Sequence, residues 1–97
     1  MPGYICYMKF TQQGLKDIKG SPERIKQAKA NVEKTGAKMV GIWATFGRYD
    51  LVAIVDAPND YVAAGIALTG CSDGLWTTET VRALSEDEFA QVVQRLP

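Results

Sequence analysis

Short apolar runs with strand character alternate along the chain with stretches whose apolar residues recur at helical spacing. Tyr4-Ile-Cys-Tyr-Met-Lys-Phe10 predicts a first strand. Thr11 to Gly20 reads as a connection with one short helical turn, since Leu15 and Ile18 stand three apart between two glycines. Ser21-Pro22 then opens a helix, with Ser as N-cap and Pro at the first helical position. Ile25, Ala28 and Val32 give that helix an apolar face, and Gly36 supplies its stop. Met39 to Phe46 and Leu51 to Ala57 predict a second and third strand, joined as a hairpin through Gly47-Arg48-Tyr49-Asp50. Pro58-Asn59-Asp60 starts a second helix, Tyr61 to Thr69, whose Ala63, Ala64, Gly65 and Ala67 permit close backbone approach. Gly70 to Gly74 breaks it, and Leu75 to Leu84 predicts a fourth strand. Ser85-Glu86-Asp87-Glu88 has the S-x-x-E form of a capping box and opens a last helix carrying Phe89, Val92, Val93 and Leu96.

The order β-α-β-β-α-β plus a C-terminal helix, with right-handed crossovers, implies an α+β ferredoxin-like domain: one antiparallel sheet with two helices on one face. The third strand conflicts with a half-exposed sheet. Leu51, Ala53 and Val55 would point one way and Val52 and Ile54 the other, so it is apolar on both faces. Helices cover one face only. A second copy of the chain is the expected cover for the other, giving a homodimer or higher homo-oligomer. The alternative is that the terminal helix folds across that face.

The 97 residues fit a single domain, 1–97. A folded monomer of 10.6 kDa should expose about 5,500 Å². Eleven basic and eleven acidic side chains cancel, which removes the net field expected of a nucleic-acid or membrane binder. Their distribution is uneven: residues 9–38 carry a net +5 and residues 39–97 a net −5. That asymmetry fits complementary self-association or a solvated lysine-rich helix. No stretch is long and apolar enough to span a bilayer and the N-terminus does not read as a signal peptide, so a cytoplasmic location is expected.

There is no histidine, which removes the commonest general base and the usual transition-metal ligand. Cys6 and Cys71 have no metal-ligand spacing; Cys6 falls in an apolar strand and Cys71 in an expected turn. No cofactor and no metal are expected. Period-two alternation projects Tyr7 and Lys9, Trp43 and Thr45, and Thr78, Thr80 and Arg82 from their strands. If these sets share a face, with Tyr49 at its rim, they line a cleft with an aromatic wall, hydroxyls and two cations. Such a cleft suits a small anionic or oxygenated ligand. The alternative is that the threonines make cross-strand pairs and Arg82 bridges a carboxylate. Tyr49 and Asp50 read as turn residues, or as a catalytic acid with a phenol partner; Asp50 and Glu79 are the candidate bases of a cofactor-free enzyme.

Met8-Lys9-Phe10-Thr11-x-x-Gly14, Gly47-x-Tyr49-Asp50 and Thr78-Glu79-Thr80-x-Arg82-Ala83 occur in that order on the predicted elements. Together they resemble the GYD-domain family over nearly the whole chain. The resemblance implies a dimeric α/β barrel and leaves the molecular function open. Related barrels include small monooxygenases, isomerases and ligand-sensing domains. The expectation is a small-molecule-binding homo-oligomer. A cofactor-free enzyme and a purely structural assembly module are the alternatives.

Overall fold

In the computed structural model, which describes residues 1–97, the four predicted strands form where the apolar runs lie: β1 (Gly3–Phe10), β2 (Lys38–Ala44), β3 (Leu51–Asp56) and β4 (Trp76–Ala83). Between them lie α1 (Gln12–Lys16), α2 (Ser21–Lys34) and α3 (Asp60–Cys71), and α4 (Glu86–Gln94) follows the last strand. The strands make one antiparallel sheet in the order β2-β3-β1-β4. No helix is long and apolar enough to cross a membrane.

Alternation sets the core. Tyr4 of β1 and Val55 of β3 are buried with Val32 of α2 and Ala63 of α3, while Met8, Leu51, Ala53 and Trp76 form a second buried cluster against Ile25 and Ala28 of α2 and Cys71 of α3. Val52 and Ile54 point to the opposite face and stay only half-buried, so the central strand is apolar on both sides, as its sequence predicts. Apart from the tip of the β2–β3 hairpin at one end, nothing in the chain spreads across that second face. α4 does not pack extensively on any other element and buries none of its residues, so it does not fold back over the sheet.

The consequence is a large exposed surface. The chain exposes 6738 Å² and buries 12 of its 97 residues. That area exceeds the roughly 5,500 Å² expected of a closed monomer of this mass. Its radius of gyration, 14.7 Å, likewise exceeds the roughly 12.5 Å of a compact chain of this length.

Local chemistry explains most element ends and corrects others. Gly36 adopts φ +86° immediately beyond the α2 C-cap, the left-handed stop expected of it. Ser85 and Glu88 form both bonds of the capping box. Ser21 is not an N-cap. A 3₁₀ turn over Ile18–Gly20 runs straight into α2, so Ser21 is already helical and its hydroxyl donates to the Ile18 carbonyl at 2.7 Å. Cys71 does not sit in a turn; it is the last residue of α3, half-buried against the Met8–Trp76 cluster. Gly65 meets no close neighbour, so the tight approach expected of its helix is made by the buried Ala63 instead.

Candidate functional site

The strand register places the expected ligand-binding residues on two faces. β1 and β4 pair with Tyr7 opposite Glu79 and Met8 opposite Thr78, so odd positions of both strands share the open face and even positions share the helix side. Tyr7, Lys9 and Glu79 therefore lie on the open face, as does Trp43, whose partner across β3 is Val52. Thr78, Thr80 and Arg82 lie beneath α3 with Tyr4. The single cleft uniting Lys9 with Arg82 does not form, because a strand's alternation does not say which parity joins which face of its neighbour.

On the open face, the end of the β2–β3 hairpin folds down onto β1 and β4. The Tyr49 ring packs on Tyr7, with centroids 4.8 Å apart, and the Arg48 guanidinium lies 5.7 Å from the Tyr49 centroid. The Tyr49 hydroxyl donates to Glu79 Oε2 at 2.7 Å, and that bond raises its pKa above the ordinary phenol value. Thr45 is tied within the hairpin, its hydroxyl donating to the Tyr49 carbonyl at 2.7 Å. Tyr7, Lys9, Arg48, Tyr49 and Glu79 border a shallow hollow of about 470 Å³. Farther along the same face the Trp43 indole lies over Gly41, where a Cβ would stand 2.5 Å from the ring. Trp43 remains 54% exposed.

The Asp50 carbonyl accepts the Thr45 amide across the reversal at 2.8 Å, but the Asp50 carboxylate does not bond within its own turn. That carboxylate accepts the Phe10 amide at 2.8 Å, and the Asp50 amide donates to the Met8 carbonyl at 2.9 Å. Gly47 supplies the positive φ of the reversal, +98°. Thr11 and Gly14 form a second staple. Thr11 caps α1, its hydroxyl accepting the Gly14 amide and donating to the Gly74 carbonyl at 2.6 Å, while its amide donates to the Leu75 carbonyl at 3.0 Å. A Cβ on Gly14 would stand 2.0 Å from that Leu75 oxygen.

On the helix side, α3 and β4 enclose an open groove of about 710 Å³, walled by Ala63, Ala64, Ala67 and Leu68 and floored by Thr78 and Thr80. Tyr4 donates its hydroxyl to Asp60 at the groove's end, and this bond, with burial, raises the Tyr4 pKa. Arg82 lies 5.8 Å from the Tyr4 ring centroid and pairs with Glu88 of α4 at 3.0 Å. Its Nη1 also donates to the backbone carbonyls of Gly3 and Ala83. The two threonine hydroxyls bond each other at 3.0 Å. The groove thus has the hydroxyls and cation foreseen for a ligand, with each already partnered inside the chain. Burial pushes the Cys6 and Cys71 thiols up, away from the thiolate a nucleophile requires. No group of three or more Cys, Asp or Glu side chains is placed to hold a metal ion.

The GYD domain matches residues 4–93, and the chain belongs to the GYD-domain family. It is 32% identical, over 99% of both chains, to a Thermus thermophilus protein described as a glutamine synthetase and cystathionine beta-lyase binding protein. Its fold is similar to the crystal structure of TTHA0845 from Thermus thermophilus, with a TM-score of 0.56, at 17% identity over 88% of this chain and 95% of that one.

Proposed function

We propose that this chain is a homodimeric protein-binding module, in which two ferredoxin-like sheets face each other as a dimeric α/β barrel. One observation carries the dimer: away from the hairpin tip with its Lys9 and Glu79, the open sheet face bears Ile5, Val52, Ile54, Trp43 and Val81, an apolar patch uncovered in the single chain. The β2-β3-β1-β4 order, with α2 and α3 on the far side, supports the ferredoxin-like reading. Pairing two such faces would remove the surface that exceeds a monomer's expectation, and a twofold arrangement leaves no edge of the patch unmatched. The binding role rests on the curated relative, whose description names two enzymes as its partners. Surfaces left outside the barrel, including the exposed Tyr61 and Leu68 of α3, remain free for such a partner.

Purified glutamine synthetase and cystathionine β-lyase provide the test. Each is titrated with the protein on a biosensor at physiological salt. Saturable binding to either at micromolar concentration supports the assignment; none to both at 100 µM, about the weak limit for a specific encounter, overturns it.

A second reading has its own observation in the α3–β4 groove, whose Arg82, Thr78 and Thr80 suit a small anionic ligand. Such a ligand has to displace Glu88 from Arg82, which couples its binding to the position of α4. A screen of small carboxylates and phosphates by thermal shift tests it: stabilisation that Arg82→Gln abolishes supports the site, and none with any compound removes it.

A further inference from the structure

We infer that α4 is an exchanged arm, whose apolar stripe packs on a second copy of the chain beside the open sheet face and not on its own domain. This rests on the homodimer reading and adds to it a second, separable contact. At 100° per residue, Phe89, Val92 and Val93 fall on one side of α4, with Gln91 and Gln94 opposite, and Leu96, expected on the helix, follows just beyond its end. Those four side chains are 61%, 46%, 48% and 63% exposed, although amphipathic helices normally spend such a stripe on a core.

The root of the helix explains why its own chain does not receive it. Arg82 bonds Glu88 and the Gly3 and Ala83 carbonyls, and the Ser85–Glu88 box fixes the first turn. The exit direction from β4 is therefore set by hydrogen bonds, and along that direction α4 meets no other element extensively.

Area selects a second copy as the occupant. With about 150–200 Å² for a fully exposed side chain of this size, the stripe offers roughly 350–400 Å² at the exposures above. A specific interface needs about 800 Å² per partner. The arm would supply close to half, and the open sheet face has an apolar patch to supply the remainder. One twofold contact would cover both uncovered apolar surfaces of each chain.

The test is sedimentation over a concentration series with three proteins: the unaltered chain, the double variant Phe89→Glu/Val93→Glu, and Gln91→Glu as a charge control on the opposite side of the helix. No α4 residue is buried, so all three should fold, which far-ultraviolet circular dichroism verifies. The expected result is a dimer for the unaltered chain and the control, and a dissociation constant raised at least tenfold for the double variant. A dimer of unchanged affinity in the double variant overturns the arm while leaving the sheet-to-sheet dimer standing. Loss of thermal stability without change in self-association assigns the stripe to its own domain and also overturns it. An unaltered chain that stays monomeric defeats both.

Discussion

The Asp50 carboxylate accepts the backbone amide of Phe10 at 2.8 Å, joining the end of the β2–β3 hairpin to the last residue of β1, forty positions away in the chain. With the Tyr49–Glu79 bond and the Tyr7–Tyr49 ring contact, it pins the hairpin tip across both β1 and β4. The Gly-x-Tyr-Asp segment is thus a clasp that ties the hairpin to its neighbour β1 and, beyond it, to β4.

Asp50→Ala should destabilise the chain by about 1–3 kcal/mol, because it leaves a partly buried amide without an acceptor. Asp50→Asn keeps an acceptor and should cost less than about 1 kcal/mol. Tyr49→Phe, which retains the ring on Tyr7, should cost no more. Urea unfolding of the three variants measures the order. An Asp50→Ala protein as stable as the parent would remove the clasp.

Gly14→Ala should cost toward the upper end of the roughly 1–3 kcal/mol typical of overpacking, because the obstacle is the backbone carbonyl of Leu75, which cannot turn aside. Gly65→Ala is the comparison. Its Cβ meets nothing within 4 Å, so the substitution should be neutral or stabilise α3 by up to about 1 kcal/mol. Equal effects from the two would contradict the packing described for Gly14.

Glu88 has its pKa lowered by the Ser85 backbone amide first and by Arg82 second. A depressed folded value means the contribution is complete above the unfolded carboxyl pKa, about 4.3, and is lost as pH falls through the lower folded value. The difference in α4 helicity between the parent and Glu88→Gln should therefore hold from pH 7 to about 5 and shrink in more acidic solution. Circular dichroism across that range checks it; a difference independent of pH would contradict the ionised cap.

Much of this was legible in the amino-acid order; the Ser21 and Cys71 misplacements are shifts at helix ends, and the exceptions at the site share one nonlocal cause. Strand identities, the Gly36 stop, the Ser85 box and the doubly apolar β3 follow from local chemistry and periodicity, and each stands where it was expected. The partitioning of Tyr7 and Lys9 from Thr78, Thr80 and Arg82 depends on which residues pair across β1 and β4, a nonlocal quantity. The polar-rich pattern of β4, Trp-Thr-Thr-Glu-Thr-Val-Arg-Ala, marks neither face clearly. Its one strong cue is Trp76, which shares the parity of Arg82 and is buried. The destinations of Asp50 and Tyr49 were hidden for the same reason: Phe10 and Glu79 are remote in sequence.

The central claim is that the face bearing Val52 and Ile54 is covered by a second copy of the chain, and sedimentation velocity at micromolar concentration tests it most directly. The account predicts a species of at least twice the 10.6 kDa chain mass. Ile54→Glu, which places a charge at the centre of that face without entering the helix-side core, should reduce it to a folded monomer. A parent chain that sediments as a clean monomer, or an Ile54→Glu chain that keeps the parent's self-association, would contradict it.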